Sequence, residues 1–495
     1  MRRTLILSAA LAALAACQSH SPEPLSPVEL EASARVLRGT IAANGDPVVA
    51  PIGVFEAMAR AMKNNLDHRV SMMEADLARR DYQLSGHEML PKVVASAGYF
   101  GRSNEAGSSS LSLLSGRQSL EPSTSLEEEY YAGDLTASWN ILDFGLSKVR
   151  AEQLGDEALA VEERRRKAVI SIMEDVHRAY WRAVSADRLA SRLAALEDDV
   201  AGAYQGSRQL LNAGRTAPMP ALTFQRELND IQGQAQRLRR EMAEAKAELA
   251  ALMGMGPEVD FTLAVPAQFA PPAELSMDMS TMIDVALVQR PEIREAALRL
   301  RISESEIRAA ALEALPSLEG FAGLNGSTND FLFNQDWVAY GARASWNLMS
   351  VFETPARKRK ARASREVESA RLVASAMAVM TQVAVSRLRY QALMSEYATS
   401  EEGARVQGRI TELVDRQAAA NSASDQARVR ERMNAILAEA RRDAVHAHMR
   451  EAAAQVHSAM GYDPYPAGIT GREDLATLST ALEALWTERV RTPGT

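Results

Sequence analysis

The sequence predicts a mainly α-helical chain with a small β part, built as a tandem structural repeat. Three observations predict it. Motifs recur at fixed offsets along the chain. Gly (27) and Pro (19) are scarce for 495 residues, which favours long uninterrupted elements. The 26 aromatic residues are concentrated, with 13 of them in residues 98–145 and 320–352.

The chain opens with Met1-Arg2-Arg3, followed by an apolar run from Leu5 to Ala16. A charged start and a short apolar stretch read as an export signal rather than a membrane-spanning helix. The run ends Leu14-Ala15-Ala16-Cys17, and Cys17 is the only cysteine of the chain. This pattern resembles the signal of bacterial lipoproteins, with residues 1–16 removed and a lipid placed on Cys17. Gln18 rather than Asp implies sorting to the outer membrane. Residues 17–52, with Pro22, Pro24, Pro27, Pro47 and Pro51, read as an extended lipidated segment.

Repeat one covers residues 53–254 and repeat two residues 278–461. Leu90-Pro91 recurs as Leu315-Pro316 at an offset of 225. Ser138-Trp139-Asn140 recurs as Ser345-Trp346-Asn347, and Met253-Gly254 as Met460-Gly461, at an offset of 207. Arg150 maps to Arg357 and Gly214 to Asn421. The offset changes once, between the Leu-Pro and Trp-Asn motifs, which places the variable loop there. Each repeat then reads helix, β-hairpin (about 92–142 and about 317–349), long helix, turn, helix.

The first helix of each repeat covers 53–90 and 278–315. The long helix of repeat one runs from about Leu146 to Asn212, and residues 356–463 lack proline altogether. Leu228, Ile231, Ala235, Leu238, Met242, Ala245, Leu249 and Leu252 step by threes and fours, a heptad seam. So do Val169, Met173, Val176, Tyr180 and Ala183, and Leu189, Leu193, Leu196, Val200 and Ala203. A solvated coiled coil has the same periodicity. Residues 255–277 form a linker and 462–495 a tail, both expected to pack around the middle.

The hairpins alternate. Tyr131, Leu135, Ala137, Trp139 and Ile141 oppose Asp134, Thr136, Ser138 and Asn140. Tyr340, Ala342, Ala344, Trp346 and Leu348 oppose Arg343, Ser345 and Asn347. Alternating strands of ~10 residues with aromatic ends are the pattern of membrane β-barrels. Tyr99, Tyr131, Trp139, Tyr340 and Trp346 are the expected membrane-facing aromatics. Four strands cannot close a barrel, since the smallest have ~8. The missing strands are expected from other copies.

These features resemble the TolC-type outer membrane efflux and secretion channels, over roughly residues 50–465. The motifs that carry the resemblance are the repeat, the two Leu-Pro pairs and the strand-to-helix passage Ser138 to Gly145 with its copy Ser345 to Leu348. The turn Asn212-Ala213-Gly214-Arg215 and the helix ends Leu252-Met253-Gly254 and Ala459-Met460-Gly461 match as well.

The resemblance implies a homotrimer. A 12-strand transmembrane β-barrel, four strands per subunit, continues into a long periplasmic α-helical barrel. It also implies a periplasmic adaptor (membrane fusion) protein and an inner-membrane transporter of RND or ABC type as partners. The location is the outer membrane of a Gram-negative bacterium.

The turns at Gly214-Arg215 and Asn421-Ser422 are the expected periplasmic tip. Gly and Asn tolerate the left-handed conformation that ends a helix, and by the resemblance such turns meet the adaptor. The family commonly closes its tunnel with aspartates six and nine residues past the second turn, where this chain has Ala427 and Arg430. Asp415, Arg416, Asp425, Arg428 and Arg430 are the charged gate candidates.

The cluster Arg357-Lys358-Arg359-Lys360 follows Pro355 at an expected helix start. Positive charge there opposes the helix dipole, so leaflet phosphates or nearby Glu side chains are the expected counter-charges.

A net charge of −8 argues against nucleic acid as a partner. His446 and His448 lie two apart on a helix and make a poor metal pair. With no phosphate loop or catalytic constellation, the chain reads as a non-enzyme without metal or cofactor. A periplasmic adaptor lipoprotein and a structural coiled-coil envelope lipoprotein stand as alternatives.

Overall fold

The computed structural model describes residues 24–43, 45–119, 121–256, 258–266, 275–420, 424–466, 468–469, 471 and 473–491. Cys17, Asn421 and Ser422 lie outside the described residues.

A helix α1 spans Pro27–Ala43, where the proline pattern led us to expect an extended chain. Pro27 opens the helix, where its missing N–H costs nothing. Ser26 and Glu29 form a reciprocal cap: the Ser26 amide donates to the Glu29 carboxylate (2.8 Å) and the Glu29 amide to Ser26 Oγ (3.3 Å).

The segment 53–90 is not one helix. It divides into α2 (Val54–Asn64), α3 (Leu66–Ser85) and a 3-10 turn Gly86–Met89. Asn65 makes the break, and its side chain accepts from the His68 amide to cap α3. In the second repeat, α6 (Met279–Gln289) and α7 (Pro291–Leu312) break at Arg290-Pro291. Both breaks sit 225 residues apart.

Strands β1 (Lys92–Gly101) and β2 (Glu129–Asn140) follow α3, and β3 (Ser317–Ser327) and β4 (Asp336–Ser345) follow α7. They form one antiparallel sheet in the order β1-β2-β3-β4. The two hairpins meet through β2 and β3, with Leu135 opposite Leu324.

The long helices start directly at the strand ends. α4 (Ile141–Asn212) and α8 (Leu348–Ala419) are each 72 residues, on the order of 108 Å. Asn140 and Asn347 cap them by accepting from the amides of Leu142 and Met349. Ile141 and Leu348 are therefore helical rather than the last residues of their strands. Pro355 lies inside α8, so the basic cluster sits in the third and fourth turns and not at the helix start. α5 (Pro218–Leu252) and α9 (Asp425–Ala459) are each 35 residues. α10 (Leu475–Arg491) lies in the C-terminal tail.

The helices form a wall. α4 packs on α3 and α7 along its first half and on α5 and α9 along its second half. α8 flanks α7 and then α9. An 11-residue helix, a 20- or 22-residue helix and a 35-residue helix in each repeat together approach the 72 residues of one long helix.

Three apolar clusters hold the wall. The largest joins α2, the middle of α4 from Val169 to Val184, the end of α5, Phe261 and Leu263, and Leu478, Leu482 and Trp486 of α10. The second joins α6, α8 and the end of α9. The third fixes the far end through Leu193, Leu196, Leu228, Ile231, Val429 and Met433. The heptad positions Val169, Met173, Val176, Tyr180 and Ala183 are all at most 2 % exposed.

Candidate functional site

The sheet has two chemically different faces, and the strand register defines them. Directly opposed residues share a face. Tyr99 opposes Tyr131, Ala95 opposes Leu135, Leu135 opposes Leu324, and Leu324 opposes Val338. Trp139 opposes Gly320, which opposes Ala342, and Ala322 opposes Tyr340. One face is thus largely apolar from β1 to β4, with Glu129 and Asp336 only at its loop end.

The other face is mixed: Ser96, Asp134, Thr136, Ser138, Asn140, Glu319, Asn325 and Arg343 share it with Val94, Phe321, Trp337 and the stacked pair Phe100 and Tyr130 (5.2 Å). Asp134 accepts from Ser96 Oγ and Thr136 Oγ1, and Asn140 Nδ2 donates to Ser317 Oγ (2.7 Å). β1 and β4 each keep one edge unpaired among the described residues.

The expected aromatics fall on the apolar face, with one exception. Tyr99 and Tyr131 pack with ring centroids 5.3 Å apart near the loop end. Trp139 marks the helix end, eight residues along the same strand, or roughly 27 Å at strand rise. Tyr340 lies between these heights and is 82 % exposed. Trp346 is the exception, because β4 ends at Ser345. Its indole N–H donates to the Ala314 carbonyl (3.1 Å) and ties the α7 end to the α8 start.

The opposite end of the wall is the tip. α4 ends in a Schellman turn: the Arg215 amide donates to the Leu210 carbonyl (2.9 Å) and the Gly214 amide to Leu211 (3.0 Å). Gly214 has φ +67, as that turn requires. Beside it, a groove of about 660 Å³ runs between α4, α5 and α9. Asp198, Ser207, Thr216, Phe224, Gln426 and Arg428 are among its lining residues.

The candidate gate charges differ in their surroundings. Arg430 is bound by Glu227 of α5, and its Nη2 donates to Glu227 Oε2 at 2.9 Å. Gln426 donates to the same carboxylate (2.9 Å). The Arg430 hydrogen bond holds Glu227 below the usual carboxylate range.

Asp415 accepts from Arg432 Nε (3.2 Å), and Arg432 Nη1 reaches Asp199 of α4 at 2.5 Å. One guanidinium therefore joins α4, α8 and α9. Arg416 is exposed and donates to the Glu412 carbonyl (3.3 Å). Arg428 lines the groove. Asp425 is the first residue of α9.

Glu227, Asp199 and Arg432 were absent from the sequence expectation. Their partners lie on other helices 203 and 233 residues away, and one sequence offers no signal for such pairs.

Among the described residues no group of three His, Cys, Asp or Glu is placed to hold a metal ion. His177 and His446 are buried, and burial pushes both down to about 3. His177 packs on Trp486 (4.7 Å) and His446 on Trp181 (4.9 Å).

A family model described as outer membrane efflux protein matches residues 57–255. The chain is 24 % identical over 362 residues to the probable outer membrane lipoprotein SilC of Salmonella typhimurium, covering 69 % of this chain and 71 % of SilC. It is 25 % identical over 305 residues to the cation efflux system protein CusC of Escherichia coli K12, covering 60 % of each.

Among solved structures, the Campylobacter jejuni CmeC outer membrane channel superposes with a TM-score of 0.67 at 16 % identity, covering 88 % of this chain and 90 % of that one. The repeat, the two-faced sheet and these matches agree: the chain is similar in sequence to outer membrane efflux proteins, most clearly over residues 57–255, and shares the fold of the solved channels.

Proposed function

We propose that this protein is the outer membrane channel of a tripartite efflux or secretion system and conducts its cargo passively. The observation that carries this reading is the sheet, largely apolar on one face, with its charged and hydroxyl side chains gathered in the middle and helix end of the other, and open at two edges. An open ten-residue strand edge invites pairing with another chain. Three copies joined β4 to β1 make a closed 12-strand barrel with the polar face inward.

The helices call for the same neighbour. Val367, Val373, Met377, Val385, Leu388, Ile410 and Leu413 of α8 are exposed, as are Leu66, Val70, Met73 and Leu77 of α3. Such apolar stripes on helices at opposite sides of the wall fit subunit-to-subunit packing into a 12-helix tunnel.

In this reading Cys17 carries the lipid, and Tyr99, Tyr131, Trp139 and Tyr340 face the membrane. The turns Gly214-Arg215 and Asn421-Ser422 meet a periplasmic adaptor that joins the channel to an inner-membrane transporter. Asp415, Arg416, Asp425, Arg428 and Arg430 bias ion passage where three copies converge. The name of CusC, a cation efflux system protein, favours cations as cargo.

Detergent-extracted protein should migrate as a heat-modifiable trimer and form ion-conducting pores in lipid bilayers. A urea-extractable monomer without conductance overturns the reading.

A further inference from the structure

The first eighteen residues of α4 and of α8 occupy equivalent places in the two repeats, directly beneath the sheet. Their charges have diverged. Residues 141–158 carry two basic and four acidic side chains, whereas residues 348–365 carry six basic and one acidic. Packing does not require that excess. In α4, Arg150 pairs with Glu306 and Glu313, Glu152 with Arg308, and Asp156 with Arg301. In α8, Arg357 pairs with Glu313 and Glu353, and Arg365 with Glu304. Lys358, Arg359 and Arg362 form no ion pair among the described residues; Arg359 and Arg362 are exposed and Lys358 is half-buried.

Apolar side chains stand above these charges on the same helix. Leu348, Met349, Val351 and Phe352 are exposed, and Phe352 is 76 % exposed. They continue the apolar end of the sheet marked by Trp139 and Trp346. Val351 and Lys358, like Phe352 and Arg359, are seven residues apart and share a helix face. Each basic group thus hangs about 10 Å below an exposed apolar one. That spacing compares with the ~5–7 Å headgroup layer of one leaflet, and long basic side chains reach back toward it. Lys358 to Arg362 are the eleventh to fifteenth helix residues, so the dipole of the first turn does not oppose them.

We infer that Lys358, Arg359 and Arg362 bind the phosphates of anionic phospholipid headgroups in the inner leaflet, below an apolar collar of Leu348, Val351 and Phe352. The site sets the depth of the channel in the membrane and recruits anionic lipid around its neck. The inference rests on the sheet lying in the membrane, as proposed above.

Native mass spectrometry of the detergent-solubilised protein tests it, with phosphatidylglycerol, phosphatidylcholine or inorganic phosphate added. Phosphatidylglycerol should bind more tightly than phosphatidylcholine, and added salt should weaken it. Each single variant, Lys358→Gln, Arg359→Gln or Arg362→Gln, should weaken phosphatidylglycerol binding about fivefold. Arg405→Gln, exposed far down α8, should leave it unchanged.

Equal binding of the two lipids, or unchanged binding by all three variants, overturns the inference. So does displacement of phosphatidylglycerol by millimolar inorganic phosphate, which marks a free-anion site. Single-channel recording of the same variants separates this failure from the other. Protein that conducts without lipid preference overturns the headgroup site alone, and protein that never inserts overturns the channel reading.

Discussion

Glu227 and Arg430 lock the last helices of the two repeats together at the tip, carboxylate against guanidinium, with Arg430 Nη2 2.9 Å from Glu227 Oε2. This turns Arg430 from a free pore charge into half of a latch between α5 and α9. Both groups are partly exposed, at 47 % and 27 %, so the pair adds at most ~1 kcal/mol to stability. Its effect should appear in the pore. Arg430→Ala and Glu227→Gln are each expected to change single-channel conductance or ion selectivity, and the swap Glu227→Arg with Arg430→Glu to restore it. Wild-type conductance retained in both single variants removes the latch.

The latch also has a pH signature. Glu227 titrates below its ordinary value because Arg430 and Gln426 donate to it. A depressed carboxylate contributes stability above its unfolded pKa and loses it as pH falls through the folded one. The Glu227-dependent part of conductance should therefore stay flat from pH 8 to about pH 5 and change only below the usual carboxylate range, ~4. A midpoint near neutrality in the wild type, absent from Glu227→Gln, contradicts this.

Gly254 and Gly461 close the two repeats with φ +69 and +82. A Cβ at Gly254 would lie 2.2 Å from the Asn64 carbonyl oxygen, and one at Gly461 2.6 Å from the Arg290 amide nitrogen. Gly254→Ala or Gly461→Ala should cost about 3 kcal/mol or more, from left-handed strain plus a clash with backbone. At Gly214, φ is +67 but nothing lies within 4 Å, so Gly214→Ala should cost only ~1 kcal/mol. Denaturant unfolding followed by circular dichroism ranks the three.

Asp443 is buried on α9 and accepts from Arg188 Nε (2.9 Å), Ser185 Oγ (3.2 Å) and Arg442 Nε (3.0 Å). It ties the middle of α4 to α9. Asp443→Leu removes the buried carboxylate and leaves Arg188 with Glu439 at 3.7 Å, and should destabilise by about 3 kcal/mol. Adding Arg188→Leu should recover part of that loss, and a purely additive double variant contradicts the coupling.

His177 and His446 are held neutral by burial, with neighbouring cations, Arg450 first, adding to the effect. Both titrate near 3 in the fold and near 6.5 when unfolded. The unfolded chain therefore binds more protons, and stability falls as pH drops below about 6.5. Each histidine should cost roughly 1.4 kcal/mol per pH unit down toward pH 3. His177→Phe should shift the acid unfolding midpoint downward, because Trp486 then packs on a ring that never charges. An unchanged midpoint contradicts it.

Much of this architecture was legible in the sequence because it is periodic. Heptads such as Val169 to Ala183 announce a buried helix face, and alternation from Tyr131 to Trp139 announces a two-faced strand. The paired motifs Leu90-Pro91 and Leu315-Pro316 announce the duplication. Errors came where local rules compete. Proline spacing in residues 22–51 hid α1, since Pro27 starts a helix as readily as it interrupts one. Pro355 reads as a helix start in sequence, yet the Asn347 cap eight residues earlier already opens α8. The break at Asn65 was invisible, because its amide also serves the distant Leu252 carbonyl (3.0 Å).

By itself the sequence determined the repeat, the helix and strand identities and the apolar face of the sheet, because each depends on residues near one another along the chain. Only the tertiary structure decided which charges are spent and which are surplus. Arg430 and Arg432 look alike in sequence to Arg359 and Arg362. Glu227, Asp199 and Asp415 neutralise the first two, and the second two project beneath the sheet without a carboxylate among the described residues. The free energy of a charge depends on what stands within a few ångströms of it, and folding brings those neighbours from hundreds of residues away.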